Sequence, residues 1–282
     1  MALTRSDVRA AMRDAGAKWK LQTGRAAAEA LTVRGLGLTI DIAERISLLA
    51  EARDLEQQTF RVTAPPPAAI DWRNKGGRNY VTGVRNQKDC NSCVAFASCA
   101  TVEARLNIAQ GQPGREIDLS EADLFFCGGG SCGGGWQFPP ALARLKDHGV
   151  GREANFPYVP AQQPCQNIAA AVKITDHSAA SSTIARKQAI SSRGPVIAGM
   201  KVFEDFQLHY AGGIYRQVAG AFVGNHAVCV VGYNDAQQCW IVKNSWGPQW
   251  GESGFFRIGY GECGIDSQFA FYDIEPVAIG PL

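Results

Sequence analysis

Three residues of the chain are of the types, and in the order, that nucleophilic catalysis by a thiol needs. Cys93 stands where the polar loop ending in Asn91-Ser92 meets an apolar run that predicts a helix over residues 93–109. A helix N-terminus favours negative charge, so a thiol there is expected to have a lowered pKa and a larger thiolate fraction. Because the thiolate is the nucleophilic form, Cys93 is a candidate nucleophile. Its Cys90-x-x-Cys93 spacing alone would also suit zinc or redox chemistry.

A nucleophilic cysteine needs a base, and the chain has four histidines. His226 follows Gly224-Asn225 and begins the apolar run 227–231, which predicts a strand. A histidine at the mouth of a strand can face a cleft while its neighbours hold it rigidly. The other three lie in segments without catalytic partners and are expected to be structural or on the surface: His148, His177 and His209.

Asn244 supplies the third group. Its side-chain oxygen can accept the imidazole N–H and so fix the tautomer and orientation of the ring. The indole of the nearby Trp246 can shield that hydrogen bond from water. Cys93 precedes His226 by 133 residues and Asn244 by 151 residues. The sequence therefore predicts a triad of nucleophile, base and orienting amide.

The elements that must position these residues fall into two halves. The first half carries the helix over residues 93–109 and a shorter helix beginning at Glu121, with Ser120 as its N-cap and Asp123 in the capping-box position. Beyond Gly194-Pro195, short β-branched runs separated by turn residues predict strands. These runs are 196–200, 227–231 and 240–243. A helical half followed by a strand half indicates an α+β fold with two lobes.

Residues 1–65 differ from the rest because they contain no cysteine and few aromatic residues. A first helix is predicted there with Ser6 as N-cap, and a second from about Asp41 to Gln58. The apolar stripe of the first helix consists of Val8, Ala11, Met12, Ala15 and Trp19. The proline-rich stretch 64–68 reads as an extended linker. We therefore expect a helical N-terminal segment over residues 1–65 and a main domain over residues 66–282.

Composition excludes several other classes of protein. The chain has 282 residues, of which 46% are hydrophobic and 19% charged, which argues against intrinsic disorder. Its net charge of +2 gives no footprint for nucleic-acid binding. No run reaches the roughly 18 apolar residues that a membrane span needs. The first residues lack the apolar core of a secretory signal.

Taken together, these motifs resemble the papain-type (cathepsin-like) cysteine peptidases over roughly residues 68–276. Besides the triad, the motifs that carry the resemblance are Asp71-Trp72-Arg73, Leu119-Ser120-Glu121 with Cys127, Cys132-Gly133-Gly134-Gly135, Phe156-Pro157-Tyr158, and Asn244-Ser245-Trp246-Gly247 with Trp250-Gly251. The resemblance implies a helical lobe carrying Cys93 and an antiparallel, β-barrel-like lobe carrying His226 and Asn244, with the cleft between them.

The resemblance also implies roles for single residues. Cys93 and His226 would rest as a thiolate–imidazolium pair, and Gln87 would donate its side-chain amide to the oxyanion. Gly134 and Gly135 would offer backbone hydrogen bonds to an extended peptide substrate. The pocket for the second residue before the cleaved bond would be lined by Trp136, Gly199, Gly224, Ala227 and Gln268. Two glycines there suggest a roomy pocket that accepts bulky apolar or aromatic residues. The function implied is that of a hydrolase acting as a cysteine endopeptidase, and no metal or cofactor is expected.

The family's pairing of cysteines would join Cys90 to Cys132 and Cys127 to Cys165. Ligation of zinc by these four is the competing interpretation. The remaining cysteines other than Cys93 are expected to be unpaired: Cys99, Cys229, Cys239 and Cys263. Disulfides suggest a secreted or periplasmic protein, although no signal peptide is visible.

The chain departs from the family pattern in three places. Val94 follows the nucleophile where the family usually has Trp, and Cys263 lacks its usual partner because Gly220 stands in the matching region. Residues 1–65 lack the family's common propeptide signature. An inhibitory, pro-like role over the cleft therefore rests on position alone, and an extension far from the cleft is the alternative. The absence of a eukaryotic-type signal and of the common propeptide signature favours a bacterial member. Acyl transfer by the same triad and non-catalytic peptide binding are the alternative functions.

Overall fold

The computed structural model describes residues 3–23, 35–40 and 65–282. The helix predicted from about Asp41 to Gln58 lies outside the described residues. The described helices are α1 (Arg5–Asp14), α2 (Cys93–Ala109), α3 (Glu121–Cys127), α4 (Phe138–Asp147), α5 (Thr183–Arg193) and α6 (Glu204–His209). The described strands are β1 (Lys20–Leu21), β2 (Ala69–Asp71), β3 (Val172–Ala180), β4 (Val196–Phe203), β5 (Tyr210–Gly212), β6 (Ile214–Tyr215), β7 (Phe222–Asn234), β8 (Cys239–Lys243), β9 (Phe255–Gly259) and β10 (Phe271–Ala278).

The helical lobe is built around α2, which is buried along nearly its whole length. Helices α3 and α4 pack against it. Helix α3 begins as predicted, because the Ser120 hydroxyl accepts the backbone N–H of Asp123. The two-lobed α+β fold expected from the sequence is confirmed.

The second lobe is a twisted sheet in the order β3-β10-β4-β7-β8-β9-β6, and β2 pairs with β7 beside this path. The pairings are antiparallel except that of β6 with β9. The three predicted strands are present as β4, β7 and β8. Central strand β7 pairs with β4 on one edge and with β8 on the other. This topology places His226 on β7 and Asn244 directly after β8.

Two hydrophobic cores meet at the cleft. One lies under the sheet and includes Trp240, Trp250 and Phe256. The other surrounds α2 and includes Val94, the residue after the candidate nucleophile. Val94 is fully buried, so its side chain acts as packing of the helical lobe.

Helix α1 begins earlier than the sequence pattern predicts. The N-cap is Thr4, not Ser6, because the Thr4 hydroxyl accepts the Asp7 N–H and the Asp7 carboxylate accepts the Thr4 N–H. The helix ends at Asp14, before Gly16, whose φ of 64° is left-handed. Trp19 therefore lies beyond the helix, although it is buried as expected.

Residues 3–23, here called the docking segment, pack on the sheet lobe. The Trp19 ring packs against both Tyr210 and Tyr215, and its N–H donates to the Arg216 carbonyl at 3.0 Å. Strand β1 then pairs antiparallel with β5. Helix α1 contacts α6 and buries Val8. The docking segment thus adds to the sheet lobe through ordinary core packing.

The cysteines of the helical lobe form two disulfides, Cys90–Cys132 and Cys127–Cys165. Disulfide sulfurs cannot act as zinc thiolates, so the alternative of a zinc site made by these four cysteines is wrong. The five other cysteines are unpaired and buried: Cys93, Cys99, Cys229, Cys239 and Cys263. Among the described residues, no helix has the length and apolar character needed to cross a membrane.

Candidate active site

Cys93 is the first residue of α2 and is fully buried at the junction of the lobes. Its Sγ accepts the backbone N–H of Ala227 at 3.3 Å. Ala227 directly follows His226 on β7. The thiol of one lobe is therefore in contact with the strand that carries the histidine of the other.

His226 is held on two sides. Its Nε2 lies 2.8 Å from Asn244 Oδ1, and its ring stacks on Trp246 at 4.8 Å between centroids. Asn244 Oδ1 also accepts the Ser245 N–H at 2.8 Å, which fixes the amide so that its oxygen faces the ring. An N–H must therefore sit on Nε2, which leaves the lone pair on Nδ1. His226 Nδ1 is buried and has no hydrogen-bond partner among the described residues.

Gln87 is fully buried, and its side-chain amide is oriented at both ends. Its Oε1 accepts the Ser245 hydroxyl at 2.6 Å, and its Nε2 donates to the Cys90 carbonyl at 3.0 Å. The Tyr158 hydroxyl donates to the Gln87 carbonyl and contacts the Ser92 hydroxyl at 2.8 Å. Tyr158 thus ties together two positions of the loop that precedes the nucleophile, a role that its motif did not reveal in the sequence.

A buried polar network links α2 to the residue before Asn244. Lys243 Nζ donates to the Thr82 hydroxyl, which donates to Glu103 on α2. The second oxygen of Glu103 accepts the Leu119 N–H at 3.0 Å. Burial raises the pKa of Glu103 to about 6, and the nearby Lys243 partly offsets this. The network fixes the helix that carries Cys93 relative to the strand end that carries Asn244.

Residues 35–40, here called the cleft segment, run between the lobes directly over the site. Gly35 N–H donates to the Lys88 carbonyl at 2.8 Å, and the Gly35 carbonyl accepts the Trp246 indole N–H. Leu36 N–H donates to Asn91 Oδ1 at 3.1 Å. This half of the cleft segment therefore contacts the loop before Cys93 and the indole that shields His226.

The second half of the cleft segment contacts Trp136 and β7. Trp136 donates its N–H to the Gly37 carbonyl at 2.8 Å and accepts the Thr39 N–H at 3.0 Å. Leu38 N–H donates to the Asn225 carbonyl at 3.3 Å. Leu36 belongs to the core of the sheet lobe and Leu38 to that of the helical lobe. The cleft segment therefore seals the junction of the two lobes.

Close approach of backbones explains the glycines here. A Cβ on Gly135, whose φ is 74°, would lie 2.0 Å from the Gly37 carbonyl oxygen. The N–H groups of Gly134 and Gly135 are used within a tight turn, by the hydroxyl and carbonyl of Ser131 respectively. The backbone hydrogen bonds to the cleft segment are made by the next residue, Trp136. Hydrogen bonds from Gly134 and Gly135 to a substrate stay a prediction.

The expected specificity pocket holds the side chain of Leu38. Leu38, Trp136, Ala227 and Phe269 belong to one buried cluster, and a Cβ on Gly199 would lie 2.8 Å from Leu38 Cδ2. Gly224 faces Leu36 instead: a Cβ there would lie 2.8 Å from Leu36 Cδ1.

Gln268, expected at the base of the pocket, donates its N–H to the Gly264 carbonyl and is half-buried. Phe269, its neighbour, lines the pocket and was not identified from the sequence. An apolar residue beside several others gives no signal of its own in sequence.

Because the cleft segment covers Cys93 and His226, their protonation differs from the thiolate–imidazolium pair that the resemblance implies. Burial raises the pKa of Cys93 to about 12, although the N–H groups of Ala227, Val94 and Leu38 partly offset it. Burial also lowers the pKa of His226 to about 4, against an opposing effect of the Asn244 hydrogen bond. The lowered pKa predicted for Cys93 is wrong for this closed form, because loss of water outweighs the helix N-terminus. The closed site therefore holds a neutral thiol and a neutral imidazole.

Comparison with known proteins places these features in one group. A family profile described as "Papain family cysteine protease" matches residues 66–272. Cysteine proteinase 2 of Entamoeba histolytica is 33% identical over 251 residues, which cover 83% of this chain and 78% of that protein. Mexicain of Jacaratia mexicana is 38% identical over 222 residues, which cover 74% of this chain and 98% of that protein.

A solved structure shows the same architecture. The digestive procathepsin L2 proteinase from the larval midgut of Tenebrio molitor matches with a TM-score of 0.72 and 25% identity. The match covers 95% of this chain and 88% of that chain. These three relatives are eukaryotic, so they lend no support to the expectation of a bacterial member.

Proposed function

Because the chain belongs to the papain family of cysteine proteases, we propose that it hydrolyses peptide bonds as an endopeptidase in which Cys93 is the nucleophile and His226 the base. The observation that carries this proposal is the pairing of His226 Nε2 with Asn244 Oδ1. That hydrogen bond leaves Nδ1 as the proton acceptor, at the residue next to the one whose N–H contacts Cys93 Sγ.

Catalysis begins when the cleft segment leaves and water and substrate enter. Nδ1 of His226 accepts the Cys93 proton, and the thiolate attacks the scissile carbonyl carbon. The imidazolium then donates its proton to the leaving amine, which releases the first product and leaves a thioester on Cys93. Water, deprotonated by His226, hydrolyses the thioester and restores the thiol.

The negative charge of each tetrahedral intermediate is stabilised by Gln87 and by the backbone N–H of Cys93. The amide of Gln87 keeps its second Nε2 hydrogen available after the bond to Cys90. Its orientation is preset by Ser245, so little reorganisation is needed during the reaction. One such donor typically contributes about 3–4 kcal/mol to transition-state stabilisation.

Residues 1–65 act as a pro-like inhibitory segment of the domain 66–282. The path of the cleft segment supports this role. In a substrate, the residue that fills the specificity pocket precedes the scissile bond in the chain. In the cleft segment the order is reversed, because Leu36 and Gly37 come before Leu38, which fills the pocket. The cleft segment therefore runs opposite to a substrate. Burial of Cys93 and His226 under it removes the water that hydrolysis needs.

The two disulfides support an oxidising location, either outside the cell or in a lysosome-like compartment. Latency suits an enzyme that passes through the cell that makes it before it acts. Its substrate is an extended peptide or an unfolded stretch of a protein, because the cleft accommodates extended backbone through hydrogen bonds to Trp136.

The proposal is tested by hydrolysis of a fluorogenic dipeptide amide in mild reductant. We expect a chain beginning at Ala68 to be active, the full chain to be nearly silent, and Cys93→Ala to be inactive in both forms. Undiminished turnover by Cys93→Ala would refute the assignment of the nucleophile. Equal activity of both lengths would refute the inhibitory role. Conjugates formed when an amine is added, in place of hydrolysis, would indicate acyl transfer.

A further inference from the structure

The lining of the pocket around Leu38 limits the size of the side chain that the pocket can hold. Sequence alone suggests a roomy pocket, because Gly199 lacks a side chain. The structure shows what occupies that space: a Cβ on Gly199 would lie 2.5 Å from Phe269 Cδ1 and 3.0 Å from Phe269 Cε1. Gly199 therefore makes room for the Phe269 ring and not for a larger ligand.

The position of Phe269 is fixed by buried neighbours. The Arg186 guanidinium donates to the Phe269 carbonyl at 3.2 Å and lies 5.2 Å from the centroid of Phe271. Arg186 is 2% exposed and Phe269 is 7% exposed. A ligand cannot push the ring aside without disturbing this packing.

The side chain of Leu38 fills what remains. Leu38 is 5% exposed and belongs to one cluster with Phe269, Trp136 and Ala227. Its Cδ2 would be 2.8 Å from a Cβ on Gly199, so it already packs against that backbone. A phenylalanine ring is longer and wider than a leucine side chain. Close-packed interiors accept added volume only at a cost in strain.

We propose that Phe269, placed against Gly199, makes the pocket selective for branched aliphatic residues of the size of leucine, so that substrates with Leu two positions from the cleaved bond are preferred over those with Phe or Tyr. This inference rests on the proposed function for its substrate part, but the fit of Leu38 tests it without any turnover. It revises the expectation from sequence that aromatic residues would be accepted.

The first experiment uses the full chain and the alkylation of Cys93 by iodoacetamide, located by mass spectrometry after short reaction times. The wild type is expected to be protected by the cleft segment. Leu38→Phe is expected to react at least about tenfold faster, because an overpacked side chain displaces the segment. Leu38→Met, which keeps the volume but adds no ring, is the matched control and should stay protected. Adding Phe269→Leu to Leu38→Phe should restore protection.

Phe269→Leu is chosen over Phe269→Ala so that the sheet lobe retains apolar packing, and a melting temperature near that of the wild type verifies folding. Slow labelling of Leu38→Phe, equal to that of the wild type, would overturn the proposal. So would equally fast labelling of Leu38→Phe with and without Phe269→Leu.

The second experiment measures turnover by the full chain carrying Leu36→Asp, which opens the cleft outside the pocket. Two dipeptide amides differ only in Leu or Phe at the second position before the cleaved bond. We expect kcat/KM to favour Leu by about tenfold or more, and Phe269→Leu to move the ratio toward Phe. A preference for Phe would overturn the pocket proposal. If neither dipeptide amide is hydrolysed while the alkylation of Cys93 in the first experiment gives the expected rates, the peptidase function is refuted and the pocket proposal stands.

Discussion

The docking segment and the cleft segment bind the same domain by different physical means. The docking segment binds through side chains: Trp19, Val8 and Met12 are buried in the core of the sheet lobe. The cleft segment binds through its backbone as much as its side chains, since each residue from Gly35 to Thr39 takes part in a hydrogen bond to the domain.

This difference indicates that the two segments have different roles. Burial of a large aromatic side chain supplies affinity that does not depend on the chemistry of the site. The cleft segment, in contrast, lies over Cys93 and His226 and controls whether water reaches them. Because the docking segment lies next to it in the same chain, it raises the effective concentration of the cleft segment at the cleft. Substitutions in the two segments should therefore differ in how strongly they release the site.

The largest effect is expected from Leu36→Asp combined with Leu38→Asp. An unpaired buried carboxylate costs roughly 3–5 kcal/mol, so the cleft segment cannot stay in place. Alkylation of Cys93 should accelerate by about a thousandfold or more, and turnover should appear. The docking segment should remain bound, so the Gln22 N–H, which donates to the His209 carbonyl, should stay protected from hydrogen exchange. Loss of the docking segment as well would show that the two segments bind as one unit.

A smaller release is expected from Trp19→Ala. Removing a buried tryptophan typically costs about 3–5 kcal/mol, part of which falls on the sheet lobe itself through Tyr210 and Tyr215. The cleft segment keeps its own hydrogen bonds, so labelling of Cys93 should rise by about tenfold to a hundredfold. Labelling as fast as in the double Asp variant would contradict the division between the segments. Trp19→Phe, which retains an aromatic ring, serves as the control.

The catalytic residues and the apolar residues at the cleft differ in how well the sequence predicts their roles. The residues that do chemistry are rare types in a fixed order, so Cys93, His226 and Asn244 could be identified without a structure. Leu36, Leu38 and Phe269 are ordinary apolar residues. Their roles arise from the path of a chain segment that lies more than 50 residues before Cys93, and no local pattern encodes that path.

Local rules also failed where distant parts of the chain changed the environment. The helix N-terminus predicts a lowered pKa for Cys93, but burial by the cleft segment, a non-local event, raises it. The N-cap of α1 was a different kind of error. Thr4 and Asp7 have the spacing of a capping box, so the sequence contained the correct answer and Ser6 was the wrong choice among adjacent hydroxyl residues.

Acidification should loosen both segments. In the closed form burial holds the pKa of His226 near 4, and burial also lowers that of His209, whose Nε2 lies 3.4 Å from the Leu3 carbonyl. A histidine with a lowered pKa in the closed form binds fewer protons there than in the open form. Stability of the closed form is therefore complete above the ordinary value near 6.5 and falls as the pH drops toward the lowered one.

Hydrogen exchange at pH 7 and pH 5 measures the opening of the two segments. The variant used is Cys93→Ala, which lacks the nucleophile and cannot cleave its own N-terminal segment. After correction for intrinsic rates, the opening equilibrium of the Leu38 and Thr39 N–H groups should rise by on the order of tenfold at pH 5. The Gln22 N–H, bonded to the His209 carbonyl at 2.7 Å, reports the docking segment. In His209→Gln its pH dependence should shrink while that of Leu38 persists. Opening that is independent of pH at both places would contradict the linkage.

The smallest effect is expected from the start of α1, and it separates the two candidate caps. Thr4→Ala removes the hydroxyl that accepts the Asp7 N–H, and losing an N-cap typically costs about 1 kcal/mol of helix stability. Ser6→Ala leaves that hydrogen bond in place and should change little. Thermal melts of the full chain should show a lower melting temperature for Thr4→Ala only. Labelling of Cys93 should rise by at most a few fold in Thr4→Ala, because α1 is one part of the docking segment and the burial of Trp19 still holds that segment on the sheet lobe. A larger rise would mean that α1 itself, and not the burial of Trp19, holds the N-terminal residues on the sheet lobe.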